Sequence, residues 1–167
     1  KTATHPVPGF GNSEAAIVFI GEAPGEQEDK RGLPFVGNSG KLLDKLLNTI
    51  KVSRSDVFIC NILKHRPPEN RDPLPPEMKV CTPYLKAQLK IIKPKVVITL
   101  GRFAMNYFFP GESISKIRGQ VRKIIWQDIP LTIIPVYHPS AGFRNGAMLK
   151  SLQEDFLSIG NFLSVNN

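Results

Sequence analysis

Residues 15–47 read AAIVFIGEAPGEQEDKRGLPFVGNSGKLLDKLL, and this stretch decides the fold. The run 15–20 is apolar at every position, which predicts a strand buried on both faces. Residues 41–47 space their leucines as a helix does. Residues 21–40 then form a strand-to-helix loop at the carboxyl end of a strand, where open α/β sheets hold their ligands. The loop carries five glycines, two prolines, four carboxylates and one aromatic. Ordinary connectors of this kind are only about two to six residues long.

Working outward, three further apolar runs at 57–63, 96–100 and 131–136 read as strands. Helical patterns separate them at 40–50, 76–92, 102–108 and 147–163. In the second, Leu85, Leu89 and Ile92 share a stripe; in the last, Leu149, Leu152, Phe156, Ile159 and Leu163 do. This alternation predicts an α/β protein, a three-layer α/β/α sandwich with a central four-stranded, mostly parallel sheet. Residues 121–126 read as a short antiparallel addition. At 167 residues, the chain reads as one domain over 1–167, with no repeat or low-complexity segment.

The composition is that of a soluble globular chain, 41% apolar and 22% charged. No apolar run reaches the roughly 20 residues that span a bilayer, and no signal-peptide pattern opens the chain. It begins at Lys1 rather than Met, so residues upstream would be invisible. The net charge of +8 fits a polyanionic partner such as nucleic acid, or an unspecialised basic surface. Charge alone does not choose between them. Two cysteines, Cys60 in an apolar strand and Cys81, make no disulfide scaffold, which points to a reducing cytoplasm.

The loops 21–40, 64–76 and 137–145 all follow strand carboxyl ends and would converge on one sheet edge. In the first, Gly21, Gly25, Gly32, Gly37 and Gly40 allow close backbone approach, but neither a P-loop nor a GxGxxG fingerprint is present. Glu22 and Glu28 are the carboxylates read as facing a pocket; Glu26 and Asp29 are read as solvated. Phe35 is either a stacking platform or a core plug. In the second loop, Asn61 offers a donor and an acceptor suited to an amide-like base edge, or else caps the strand. Lys64, His65, Arg66 and Arg71 form a proline-stiffened basic loop suited to a phosphate backbone, or a solvated one. In the third, His138 follows a strand and is stiffened by Pro139, placed either to donate to a developing anion or to serve as a structural histidine. Phe143 beside Arg144 suits an apolar wedge entering a duplex from the minor groove.

GEAPGEQED and GLPFVG at 21–37, NILKHRPPENRDPLPPE at 61–77 and HPS at 138–140 together resemble the uracil-DNA glycosylase superfamily. The similarity runs from about residue 7 to residue 144 and is nearest to the family 4, iron–sulfur branch. It implies a DNA-repair hydrolase that flips uracil out of single- or double-stranded DNA and cuts its N-glycosidic bond. Under that resemblance Phe35 stacks on the base, Asn61 reads its polar edge, and Gly21 and Ala23 line the substrate. His138 stabilises the departing uracil, while Glu22 and Glu28 position water or stabilise the sugar cation. Arg66, Arg71, Ser140, Phe143 and Arg144 would contact DNA. Ala23 and Pro24 stand where other branches place a water-activating residue.

The branch's [4Fe–4S] cluster takes four cysteines: a CxxC near the start, one in a KCRPP segment and one further on. Cys81 matches the last; the KCRPP position is His65, and nothing in this chain supplies the CxxC. No cofactor and no metal are therefore expected, with Cys81 a plain thiol; cysteines upstream of Lys1 are the alternative. Lys64-His65 also resembles a covalently trapping branch, but its longer basic insertion is missing, so turnover is expected. The expectation is a monomeric, cytoplasmic, prokaryotic enzyme acting on nucleoid DNA. Its rivals are a slow or non-catalytic uracil-DNA binder and a glycosylase shifted to hypoxanthine or xanthine.

Overall fold

Side chains alternate between the faces of a strand, so a run that is apolar at every position needs cover on both. The computed structural model, which describes residues 3–166, meets that need with helices above and below one sheet. The strands lie in the order β1 (Phe10–Gly11), β3 (Phe58–Asn61), β2 (Ile17–Gly21), β4 (Val96–Leu100), β6 (Ile129–Val136) and β5 (Arg122–Trp126). The inner four run parallel, and the two edge strands run antiparallel to their neighbours.

The expected four-stranded sheet is thus the parallel centre of a six-stranded one. β5 is the antiparallel piece read at 121–126. β1 pairs only Phe10 and Gly11 with Ile59 and Phe58, too short a segment to show any alternation. β3 ends at Asn61 rather than at residue 63. Beyond it the chain stays beside the end of β2, with the N–H groups of Ile62 and Leu63 donating to the carbonyls of Gly21 and Glu22.

On one face, Val18 and Ile20 pack with Cys60, Val97 and Ile133 beneath α3 (Pro75–Ile92) and α4 (Arg102–Phe108). On the other, Ile17 and Phe19 pack with Ile59, Ile98 and Ile134 beneath α2 (Asn38–Thr49) and α7 (Gly146–Val165). The stripe Leu85, Leu89 and Ile92 faces inward as its spacing requires. Each of these fully covered side chains contributes roughly 1.5–3 kcal/mol of transfer free energy, and together they hold the four parallel strand ends in register.

Two expected loops contain helices. Residues 21–40 hold α1 (Glu26–Arg31), closed by Gly32 in the left-handed region at φ 68°. Residues 137–145 hold α6 (Pro139–Arg144), and a single turn, α5 (Ile114–Ile117), precedes β5. α1, EQEDKR, has no apolar period; a tertiary contact supports it. Asp29, read as solvated, is only 2% exposed. Its carboxylate accepts the N–H groups of Thr4 (2.8 Å) and His5 (3.1 Å). Burial alone would raise its pKa, but these two donors, together with the Thr4 side chain and the Arg66 charge, outweigh that and hold it below the usual value. Glu26 is exposed and pairs with Lys30, as a surface charge does.

Candidate active site

Because β2, β3, β4 and β6 are parallel, their carboxyl ends open on the same side. There a cavity of about 710 Å³ lies among Glu22, Phe35, Asn61, Gly101, Arg102 and His138. Asn61, at the last position of β3, is 2% exposed. Among the described residues no hydrogen bond engages its side-chain amide, so its donor and acceptor stay free for a guest. Phe35, 5% exposed, lies against His138 with ring centroids 5.8 Å apart. Its backbone takes φ 50°, a left-handed conformation that costs an ordinary residue on the order of 1 kcal/mol or more and collects at functional sites.

The close approach depends on Gly21. A Cβ there would stand 2.4 Å from Asn61 Oδ1 and 2.7 Å from Phe35 Cζ, so any other residue would drive the two apart. Gly101 does the same for the histidine. It sits at φ 92°, and a Cβ would stand 2.9 Å from His138 Cβ.

His138 caps the start of α6. Its Nδ1 accepts the Ser140 N–H at 3.1 Å and lies 2.8 Å from Ser140 Oγ. An Nδ1 that accepts a backbone N–H carries no proton, so the neutral ring is assigned its proton on Nε2. Burial, then the positive charge of Arg144, lower the His138 pKa to about 4, against a smaller opposing pull from Glu28. The result is a neutral imidazole at pH 7 with one N–H left to give.

The two first-loop carboxylates differ. Glu28 Oε1 accepts the N–H groups of Val36 (3.0 Å) and Gly37 (2.9 Å), so this side chain braces the loop while lining the cavity. Glu22 makes no such bond among the described residues. Burial, then the nearby Asp72 carboxylate, raise its pKa, opposed by Arg102. Asp72 and Arg102 line the same cavity, with Arg102 Nη2 3.4 Å from Asp72 Oδ2. Neither was singled out in the sequence. Arg102 follows the carboxyl end of β4, and the rule that ligands gather at strand carboxyl ends points to it.

Several residues of the expected DNA-facing loops have local partners. Lys64 is 5% exposed and belongs to the core rather than to a phosphate-facing loop. Arg71 makes a two-pronged pair with Glu77, at 2.9 and 2.6 Å. Hydrogen bonding from Arg71, then from the Leu74 N–H, takes the Glu77 pKa to about 2. Arg71 is therefore a strut that closes its loop onto α3. Arg66 lends Nε to Asn70 Oδ1 at 2.7 Å and does not line the 710 Å³ cavity. Ser140 is turned to His138. Phe143, 58% exposed, and Arg144 line the same cavity.

The cluster implied by the resemblance finds only part of a site. Cys81 and His65 line one cavity of about 330 Å³ with Leu63, Pro67 and Val80. Cys81 Sγ already accepts the Lys64 N–H at 3.4 Å. Among the described residues no group of three or more His, Cys, Asp or Glu side chains is arranged to hold a metal ion. One thiol and one imidazole do not fit a four-thiolate set. Cys60 is fully buried, and burial pushes its thiol pKa up, against a smaller pull from Lys64.

The family model for the uracil DNA glycosylase superfamily matches residues 8–158. A type-4 uracil-DNA glycosylase of Saccharolobus solfataricus is 47% identical across 98% of this chain and 79% of its own length. One from Archaeoglobus fulgidus is 44% identical across 96% of this chain and 83% of its own. A type-5 uracil-DNA glycosylase of Thermus thermophilus is 33% identical over 60% of this chain and 52% of its own length. Among the described residues no helix is long and apolar enough to cross a membrane.

Proposed function

The chain belongs to the uracil DNA glycosylase superfamily, and we propose that it is a monofunctional uracil-DNA glycosylase that leaves an abasic site. The observation that carries this is the meeting of Phe35, Asn61 and a neutral His138 in one cavity at the strand ends. Such a cavity suits a base taken out of the stack, the usual solution for chemistry on a paired base. Phe35 offers a ring face. Asn61 offers an acceptor to uracil N3–H and a donor to O4; cytosine reverses this pattern and is rejected.

Cleavage breaks the C1′–N1 bond, and its electron pair leaves on the base, spread over N1 and O2. His138 Nε2–H donates to O2 as that charge grows. A neutral donor suits this task, since it stabilises the anion without first needing a proton from solvent. Water then adds to C1′, and its proton goes to a carboxylate and on to solvent. We assign that role to Glu22, whose raised pKa suits a base. Glu28 holds the loop, and its free oxygen faces the sugar cation. Phe143 and Arg144 enter the duplex at the vacated position, while Arg66 meets backbone phosphate. The enzyme acts as a single-domain monomer on single- and double-stranded DNA in a prokaryotic cytoplasm.

An oligonucleotide with one uracil, incubated with the protein and then with alkali, is expected to break at that position. Binding in a gel-shift with no scission would reject the enzyme in favour of a uracil-DNA binder. Scission only at hypoxanthine or xanthine would reassign the base.

No step above needs an iron–sulfur cluster, and we read Cys81 as a packing thiol. The purified chain spanning residues 1–167 is expected to be colourless, with no iron–sulfur absorbance in the visible. A brown protein containing iron and sulfide would overturn that reading.

A further inference from the structure

Lysine is almost never fully buried without a partner charge, yet Lys64 is 5% exposed. Among the described residues no carboxylate pairs with it. Its Nζ donates instead to two neutral oxygens, the Asn61 carbonyl and Gln88 Oε1, each at 2.8 Å. Gln88 in turn donates from Nε2 to the Pro8 carbonyl at 2.7 Å, and the Lys64 carbonyl accepts the Val7 N–H at 2.7 Å. The lysine thus ties the end of β3, the C-terminal half of α3 and the segment before β1 to one point.

The geometry of β3 explains why a donor is needed there. A trans peptide sets the Asn61 carbonyl opposite the Ile62 N–H. The Ile62 N–H points toward β2 and donates to Gly21 O at 3.0 Å. The Asn61 carbonyl therefore points the other way, toward the edge. β1 pairs only with Phe58 and Ile59 and stops short of it. A buried carbonyl left without a donor is costly. Lys64 Nζ fills the place that a longer edge strand would have filled.

We propose that Lys64 is a positioning residue for base recognition: its amine clamps the Asn61–Ile62 peptide on the side opposite β2 and so fixes the amide that reads the base. The peptide is then held from both sides, by Gly21 O on one and Lys64 Nζ on the other. Asn61 carries its side chain from that fixed plane into the cavity, where Gly21 and Phe35 leave it little room to move. Lys64 touches no substrate; it acts through Asn61. This rests on the uracil-reading role given to Asn61 above.

The test is a double-mutant cycle on single-turnover uracil release. Lys64→Met keeps the length and apolar stem but removes the donor. In the otherwise unmodified protein it is expected to slow release by about 10- to 100-fold, the range for leaving a buried acceptor unmatched at a recognition residue. In an Asn61→Ala background the same change is expected to alter the residual rate by less than about threefold, since the group it positions is gone. Gln88→Met, which frees the amine from α3, gives the same cycle with a smaller loss should Lys64→Met fail to fold. Equal losses in both backgrounds, or no loss in the first, overturn the positioning role while leaving the glycosylase reading intact. If the unmodified protein releases no uracil, that reading fails and this proposal falls with it.

Discussion

His138→Ala is expected to slow uracil release by about a hundred- to ten-thousandfold, the range for a positioned acid–base group, while the protein stays folded. The loss follows from one N–H. With Nδ1 held by Ser140, only Nε2 can donate to the departing base, and alanine offers nothing in its place. Folding survives because the ring caps only the short α6, a contribution of about 1 kcal/mol. The variant also tests the lowered pKa. In the folded protein His138 stays neutral down to about 4, whereas an exposed imidazole takes a proton near 6.5. Between those values the unfolded chain binds the extra proton, so the stability tied to this group is full above pH 6.5 and is lost as pH falls toward 4. Thermal melts across that window are expected to show a shallower acid slope in His138→Ala than in the parent. A single-turnover rate within about threefold of the parent would sink the leaving-group role.

Asn61→Asp is expected to cost about a hundredfold or more on uracil and to narrow the preference for uracil over cytosine. An ionised carboxylate has two acceptors and no donor. Facing uracil, it puts an acceptor against O4, and a site built to hydrogen-bond a group loses far more from a mismatch than from a missing methylene. Cytosine, with a donor at N4 but an acceptor at N3, then makes one match and one mismatch as uracil does, so the preference for uracil narrows. Asn61 is buried at the end of β3 with its side chain beside Gly21, and aspartate keeps its size and shape. Single-turnover release from matched uracil and cytosine oligonucleotides checks this. An unchanged uracil rate would remove Asn61 from recognition.

The sheet centre was legible because 15–20, 57–63, 96–100 and 131–136 are runs with almost no polar break, a pattern that few other arrangements satisfy. Phe35, Asn61 and His138 could be picked out because each lies at a strand's carboxyl end or in the loop that follows one, and the spaced motifs then tied them together. What was hidden had physical reasons. β1 is two residues long and carries no period. α1 has no apolar face, and its burial of Asp29 depends on backbone donors from Thr4 and His5, far away in sequence. Lys64 sits in a run, KHR, that reads as surface charge; only the folded chain brings the Asn61 carbonyl and Gln88 to its amine. Arg71 likewise reads as a free cation until α3 carries Glu77 back to it. In each case a contact between segments overrode the local pattern.

Loop 21–40 now divides its work: Phe35 shapes the pocket, Glu28 braces the loop, and Glu22 is the free carboxylate beside Asp72. The Lys64–Asn61 clamp and the Ser140–His138 bond do for the other two walls what Glu28 does for the first. Under the proposed function, recognition and leaving-group stabilisation rest on side chains that neighbours hold still.

The most direct measurement is free uracil released per protein molecule from excess uracil-containing oligonucleotide, with the intact protein mass recorded afterwards. Many uracils per protein and an unchanged protein mass are expected. No free uracil, or a protein mass increased by one covalently attached DNA strand, would contradict a hydrolytic glycosylase that turns over.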